Sequence, residues 1–191
     1  MNNYEYIIAS LPVPGKDAGA LDADALTAEI LGLLSSQDQA LASLLLESFN
    51  PDSLDSDYYI RAHKSSNAFI REYSAFDLKV RNAKVDYLNE LLGRPQGQDI
   101  MPLPEGVDGE FDLRPEVDAV LSRTDILDRE KGLDDLMWAK ADELVEMHVL
   151  DLDVILAFIA KIKITDRWNK LDPETGRQLF RKLVQEIRNT R

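Results

Sequence analysis

Histidine is the residue type best suited to metal binding and to acid–base chemistry, and this chain has two, His63 and His148. Carboxylate-bridged di-metal bundles place a glutamate three residues before each histidine, so that both side chains share one helix face. Here Ile60 stands three residues before His63, and Glu146 stands only two before His148. The spacing therefore predicts no metal site, and we expect His148 to be a core or boundary residue.

Other catalytic motifs are missing from the sequence as well. The chain has no cysteine, no phosphate-binding G-x-x-x-x-G-K-[ST] loop and no G-x-S-x-G nucleophile turn. Neighbouring acids such as Asp134-Asp135 and Asp142-Glu143 are typical of solvated helix faces. We expect no catalytic residue, no cofactor and no enzymatic activity.

A polar cluster inside an apolar pattern is the more specific signal. Asp77 and Arg81 stand four residues apart, the spacing of an ion pair along a helix, and Lys84 follows one turn later. Either the cluster forms an ion pair at a helix boundary, or it contacts a partner protein. Arg71 precedes it on the same predicted helix and is a candidate of the same kind.

Aromatic and arginine residues supply further candidates for a protein interface, where these types are enriched. Trp168 follows Arg167, and it either packs in the core or anchors a partner. The remaining candidates are Tyr4 and Tyr6 near the start of the chain and a basic ridge near its end, Arg177, Arg181 and Arg188.

One long helix, from about residue 66 to 92, must position most of these side chains. Ser65 or Ser66 is suited to cap its start, and Gly93 to end it. Helical spacing gives it two apolar stripes, Phe69, Tyr73, Phe76, Val80, Ala83, Tyr87 and Leu91 on one side and Ile70, Leu78, Val85, Leu88 and Leu92 on another. A helix with two stripes contacts two layers, as the central helix of a core or, alternatively, in an intermolecular coiled coil. Its outer face is predicted to carry Glu72, Lys79, Asn82, Asp86 and Glu90.

Shorter helices precede the long one. Asp22 or Asp24 caps a helix to about Leu34, and Ser36 with Gln39 has the spacing of a capping box that opens a second helix. Residues 4–11 fit either a short strand or a helical turn. A loop containing Tyr58, Tyr59 and His63 is expected to lead into the long helix.

Glycine and proline mark residues 94–111 as a linker, either a hinge or a functional loop. Beyond it, Pro115 suits the first turn of a helix, and a second helix is expected over about 133–149. Asp151 or Asp153 caps a third helix, which is apolar on all sides. Asp172 and Pro173 signal a last helix. The predicted fold is an all-α helical bundle organised around one long central helix, with two helical halves, 1–93 and 112–191, joined by the linker in one compact domain.

Charge narrows the choice of partners. The chain of 191 residues carries 35 acidic and 22 basic side chains, a formal net charge of −13, which argues against nucleic-acid binding. Bases outnumber acids only after residue 160, so this tail either folds back on the acidic segment before it or meets an acidic partner. The lack of cysteine favours a reducing compartment, the start is a poor signal peptide, and no apolar run is long enough to span a bilayer. We expect a cytoplasmic protein that reaches the membrane only through protein partners.

Three motifs carry a family resemblance: Y-x-Y-I-x-A-x-L over residues 4–11, R-E-Y-x-x-F-D-L-K-V-R-N-A-K over 71–84, and G-R-x-L-F-R-K-L-V-x-E-I over 176–187. Together they resemble a small bacterial family of unknown function whose members are encoded among V-type ATP synthase subunits. That family in turn looks like a shortened relative of the V/A-type ATPase component known as C or d, which is a socket between the rotor shaft and the membrane ring.

The resemblance implies an all-α, non-catalytic adaptor whose partners are the rotor shaft and the membrane ring. This chain is too short for the three similar helical units of the larger socket component. The alternative is a helical scaffold or regulatory protein unrelated to the ATPase, homo-oligomeric through the long helix.

Overall fold

The computed structural model describes residues 4–13 and 22–171, together with Arg181. Within these residues the chain forms eight α-helices and one 3-10 turn, Pro51–Ser53, and no strand, which confirms the predicted all-α bundle. The helices are α1 (Glu5–Ser10), α2 (Ala23–Leu33), α3 (Ser36–Glu47), α4 (Ser56–His63), α5 (Ala68–Leu91), α6 (Arg114–Leu121), α7 (Ile126–Leu144) and α8 (Leu152–Asn169). The helix predicted from Asp172 onward lies outside the described residues, except that Arg181 is helical.

The long helix, α5, is central to one side of the bundle, where it packs against α4, α6 and α7. Its cap is Asn67, whose Oδ1 accepts a hydrogen bond of 2.9 Å from the Ile70 amide, and not Ser65 or Ser66 as the sequence suggested. Both predicted stripes are buried over most of the helix, including Phe69, Ile70, Tyr73, Phe76, Leu78, Val80 and Ala83. Contacts within the chain therefore cover the greater part of the face that a coiled coil would need.

A second centre of packing is α8, which the all-round apolar pattern predicted to be buried. It packs against α7 and also against α2 and α3, so helices from the two sides of the linker contact each other directly. Asp24 on α2 accepts ion-pair contacts from Lys163 at 2.6 Å and from Lys170 at 3.1 Å. The N-terminal helices thus pack on the last described helix of the chain.

Residues 92–113 run back along α5 as an ordered strap. The side chain of Asn82 makes two hydrogen bonds with the backbone of Met101. It accepts from the Met101 amide at 2.9 Å and donates to the Met101 carbonyl at 2.7 Å. Asn89 donates to the Gln98 carbonyl at 2.6 Å, and Lys79 donates to the Glu110 carbonyl at 2.6 Å. The α5 face that the sequence assigned to solvent is therefore largely covered by the strap, and Glu72 and Glu90 are the members of that set that are exposed.

Two helices differ from their predicted limits. The expected loop at Tyr58 and Tyr59 is α4, because the Asp55 side chain caps it and both tyrosine rings are buried. The helix expected over 133–149 is α7, which begins at Ile126 under the cap of Asp125 and ends at Leu144. Its first turn is exposed, so the apolar period does not extend to its true start.

The cap of α3 is also displaced by one residue. Ser35, not Ser36, accepts from the Asp38 amide at 3.2 Å, and its hydroxyl donates to the Asp38 side chain at 2.8 Å. Residues 4–11, which the sequence left between strand and helix, contain α1.

None of the helices in the described part of the chain has the length and apolarity that a bilayer-spanning segment requires.

Candidate interaction surfaces

A buried polar cluster forms where α4 meets α5. The Asp77 carboxylate accepts from the Tyr59 hydroxyl at 2.6 Å and from Arg81 Nε at 2.7 Å. Burial raises the pKa of Tyr59, and the negative charge of Asp77 raises it further. Burial disfavours the charged form of Arg81, but attraction to Asp77 outweighs this and raises the pKa of its guanidinium. The ion pair predicted from the sequence is present within α5, and the Tyr59 hydroxyl, bonded to the same carboxylate, joins α4 to it.

A second carboxylate, Asp134 on α7, holds the end of α8. It accepts from Trp168 Nε1 at 2.6 Å and also from the Arg167 guanidinium. Burial raises the pKa of Asp134 despite the nearby charge of Arg167. Trp168 is thus partly buried against the core, with its indole N–H satisfied inside the chain.

These two carboxylates line one cleft of about 210 Å³ between α5, α7 and α8. Tyr73 also lines it, and burial holds the pKa of this tyrosine well above its usual value. Each carboxylate already binds a guanidinium and a neutral donor, so Asp77 ties α4 to α5 and Asp134 ties α7 to α8. We call these two sets of contacts, around Asp77 and around Asp134, the polar clasp.

Sequence reasoning placed Asp134 on a solvated face, which is wrong because its side chain is only 13% exposed. Nothing in the sequence links it to Trp168, 34 residues away. Asp142 and Glu143, predicted to be solvated, are exposed.

Lys84 and Arg71 do not join Asp77 and Arg81. Lys84 pairs with Glu130 on α7, and Arg71 donates to the Ser65 carbonyl at 2.7 Å. Arg71 lines an open groove of about 650 Å³ between α5, the strap and the end of α7. The four polar candidates of α5 therefore make contacts at three separate places: Asp77 with Arg81, Lys84 with Glu130 of α7, and Arg71 beside the open groove.

His148 lies in the turn after α7, at the surface boundary of the bundle. Its Nδ1 is 2.6 Å from Asp151 Oδ2 and 3.8 Å from Asp153 Oδ2. The hydrogen bond to Asp151 raises the pKa of the imidazole, and the charges of both aspartates add to this. Among the described residues no cluster of three or more histidines and carboxylates has the arrangement of a metal site.

The two N-terminal tyrosines have opposite environments. Tyr4 is buried. Its hydroxyl donates to the Asp38 carboxylate and accepts from the Ser35 amide at 3.3 Å. Its backbone amide donates to the Leu150 carbonyl at 3.1 Å. A buried side chain with internal partners is not available to another protein, so Tyr4 fastens the N-terminal segment. Tyr6 is 90% exposed.

The basic ridge falls largely on residues that the structure does not describe. Arg181 is helical and exposed. Arg177 and Arg188 lie outside the described residues, so their alignment with Arg181 stays a prediction.

An exposed apolar surface lies at one end of α5 and α7. The two helices are antiparallel. Nζ of Lys140 lies 5.9 Å from the centre of the Phe76 ring. Further along α5 and earlier in α7, Lys84 pairs with Glu130, and Cζ of Arg129 lies 5.9 Å from the centre of the Tyr87 ring. One turn further along, the C-terminal end of α5 reaches the N-terminal end of α7. There Leu91 is 61% and Ile126 is 71% exposed. We call this surface the distal patch, and it comprises Leu88, Leu91, Leu92, Ile126 and Leu127.

A second exposed apolar surface lies at the opposite end of the same helices. The turn between α7 and α8 carries Met147, which is 90% exposed, and Val149. The hydrogen bond between the Tyr4 amide and the Leu150 carbonyl brings the start of α1 beside this turn. We call this surface the proximal patch, and it comprises Tyr6, Met147, Val149 and Leu150.

The length of α5 separates the two patches. Its 24 residues correspond to about 36 Å at the rise of an α-helix. The structure thus presents two apolar surfaces at opposite ends of a helical body. Sequence reasoning named Tyr6 but missed the distal patch, because it assigned Leu88, Leu91 and Leu92 to the buried stripes.

The described part of the chain is thus all-α, with exposed apolar side chains at both ends of α5 and α7. Residues 103–190 match the model of a family described as "Protein of unknown function (DUF2764)". This match confirms a resemblance to an uncharacterised family over slightly less than half of the chain, and it includes the motif at 176–187 but not those at 4–11 and 71–84. No curated protein and no solved structure matches the chain.

Proposed function

We propose that this protein is a non-catalytic adaptor associated with a V-type ATP synthase, a rotary ion-translocating ATPase. The observation that carries the proposal is the pair of exposed apolar patches at opposite ends of α5 and α7. Large apolar side chains grouped on a surface mark sites of protein contact. Two such sites on one body suit a protein that bridges two others, as a connector between rotor shaft and membrane ring does.

A connector that transmits force must also resist bending between its two ends. The strap bonded along α5, and the polar clasp that joins α4 to α5 and α7 to α8, provide internal ties between the two ends. Because buried polar contacts with full partners favour one arrangement of the helices, they stiffen the body. These ties support the adaptor role and require no catalytic group.

The alternative function is a helical scaffold or regulatory protein that is homo-oligomeric through α5. The specific observation in its favour is that the last turns of α5 are exposed at Leu88, Leu91 and Leu92. Self-association through α5 is then restricted to these turns, since most of the helix is covered by α4, α6 and α7.

Co-expression with the rotor-shaft and membrane-ring subunits of a V-type ATP synthase tests the proposal. We expect the chain to co-purify with at least one of them at a fixed stoichiometry. A folded chain that co-purifies with none of them would exclude the adaptor role. Light scattering on the isolated chain tests the alternative, because a monomer at all concentrations excludes self-association through α5.

A further inference from the structure

We propose that Met147 is a site of reversible oxidation by peroxide, and that its sulfoxide removes the apolar character of the proximal patch. The oxidation itself does not depend on the adaptor role, whereas its effect on a partner rests on the proposed function. The observations behind it are the exposure of Met147 relative to the other methionines, the backbone that presents it and the side chains around it.

The first observation is a difference in exposure among the methionines. The chain has four methionines and no cysteine, so the thioether is its only sulfur group. Met147 is 90% exposed, whereas Met137 is 8% exposed and Met101 is partly buried against the core. Met1 lies outside the described residues. Because an oxidant must reach the sulfur, Met147 is the described methionine that a dissolved peroxide meets first.

The second observation is the backbone that presents this side chain. The His148 amide donates to the Val145 carbonyl at 2.9 Å, which closes a turn with Met147 near its tip. Residues 146–150 are exposed without interruption. The turn is also fixed to the start of α8, since Nδ1 of His148 is 2.6 Å from Oδ2 of Asp151. These contacts use no atom of the Met147 side chain, so its oxidation leaves them in place.

The third observation is the surface around the thioether. The other members of the proximal patch, Tyr6, Val149 and Leu150, are exposed as well. None of the three contains sulfur, so a peroxide finds one thioether to oxidise within the patch. A sulfoxide is polar, unlike the thioether from which it forms. Oxidation at this one position therefore places a polar group among the exposed apolar side chains.

The chemical step is a two-electron oxygen transfer. A lone pair on Sδ of Met147 attacks one oxygen of hydrogen peroxide, the O–O bond breaks, and a sulfur–oxygen bond forms. The departing hydroxide takes the proton of the transferred oxygen and leaves as water, so the sulfur is oxidised and the peroxide is reduced. Methionine sulfoxide reductases reverse the step with a dithiol, whose two thiols form a disulfide while the oxygen leaves as water.

Peptide mapping of the full chain by mass spectrometry tests the site. In the folded chain treated with dilute hydrogen peroxide, we expect Met147 to gain one oxygen at least about tenfold faster than Met137, with Met101 in between. In urea the three rates should converge, because the fold no longer sets access to the sulfur. Faster oxidation of Met101 or Met137 than of Met147 in the folded chain would overturn the proposal. Equally different rates in urea would do so too.

Retention on a hydrophobic-interaction column measures the effect on the patch. We expect the oxidised wild type to elute earlier, with an unchanged circular dichroism spectrum. Treatment with the two sulfoxide reductases, one for each sulfoxide epimer, should restore the original retention. Unchanged retention of a chain whose Met147 is fully oxidised would contradict the loss of apolar character.

Matched variants assign this shift to one residue. Met147→Leu keeps an aliphatic side chain and should show no shift on peroxide treatment. Met137→Leu, a volume-conserving change at the buried methionine, should keep the full shift. Met147→Gln places a polar group at the same position and should elute early without peroxide. A full peroxide shift in Met147→Leu would assign the effect to another residue and overturn the proposal.

The effect on a partner is measured with the ATPase subunits. Oxidation should weaken their binding to the wild type at least about threefold and leave Met147→Leu unaffected, because a sulfoxide buried without a hydrogen bond disfavours contact. Equal binding of the oxidised and the unoxidised wild type would mean that Met147 does not control this contact. If the unoxidised chain binds none of the subunits, the assignment to the ATPase is wrong, while mapping and chromatography still decide the oxidation site.

Discussion

Asn82 in the middle of α5 and Met101 in the strap form a reciprocal pair of hydrogen bonds. The Asn82 side chain accepts from the Met101 amide at 2.9 Å and donates to its carbonyl at 2.7 Å. A primary amide matches a backbone peptide group in this way because it carries an acceptor and two donors on a planar group. This pair fixes a stretch that the sequence describes only as rich in glycine and proline.

Asn82→Ala tests whether the strap depends on this pair. The substitution removes two hydrogen bonds and leaves both polar groups of Met101 without their side-chain partner. We expect the free energy of unfolding to fall by about 1–3 kcal/mol, and proteolysis within residues 93–110 to accelerate. Urea titration and limited proteolysis measure the two effects. Glu90→Ala, at an exposed position of the same helix, is the control and should change neither.

Phe76→Asp tests the burial of the main stripe of α5. Phe76 is buried, and its ring meets that of Phe111 edge-on at 5.7 Å. Loss of a buried phenylalanine costs about 3–5 kcal/mol, and a buried carboxylate adds to this, so we expect the chain to unfold. Thermal melting by circular dichroism measures the effect, with Tyr6→Asp as a surface control. Near-native stability of Phe76→Asp would mean that the stripe is exposed, as an intermolecular role requires.

Gly132→Ala and Gly32→Ala form a matched pair, because both glycines lie within helices, α7 and α2. A Cβ at Gly132 would lie 2.6 Å from Cγ1 of Val120 on α6, whereas a Cβ at Gly32 would meet nothing within 4 Å. We expect Gly132→Ala to destabilise the chain by about 1–3 kcal/mol and Gly32→Ala to stabilise it by up to about 1 kcal/mol. The two Tm values should therefore move in opposite directions. A stabilising Gly132→Ala would contradict close packing of α6 on α7.

His148 should make stability depend on pH. Its pKa in the folded chain is raised, first by the hydrogen bond to Asp151 and then by the charges of Asp151 and Asp153. The charged imidazole therefore contributes stability that is fully present below its unfolded pKa of about 6.5 and is lost as the pH rises through the folded pKa. We expect the free energy of unfolding to fall over this range in the wild type and to fall less in His148→Asn. An NMR titration in which the His148 ring titrates no higher than in an unfolded peptide would refute this.

Much of the fold follows from local pattern. The apolar spacing of residues 69–91 identified α5, and the apolar run after Asp151 identified α8 as a buried helix capped by Asp151 or Asp153, of which the structure has Asp151. These features depend on side chains within one or two turns of each other, which a sequence displays directly. The Asp77–Arg81 ion pair has the same origin, since its partners are four residues apart on one helix.

Features that depend on distant residues were not predictable in this way. The tyrosines of α4 were assigned to a loop because only eight residues form this helix, and its stability comes from burial against α5. The last turns of α5 continue the apolar period, and no local signal reveals that the packing stops before Leu91.

The sequence by itself thus determined the all-α class, the long central helix, the buried α8 and the net charge, because periodicity, capping residues and composition act locally or additively. Only the tertiary structure decided that the strap lies on Asn82, that Asp134 holds Trp168, and that the leucines at the end of α5 are left exposed. These relations join residues far apart along the chain, and their geometry is set by how whole helices pack.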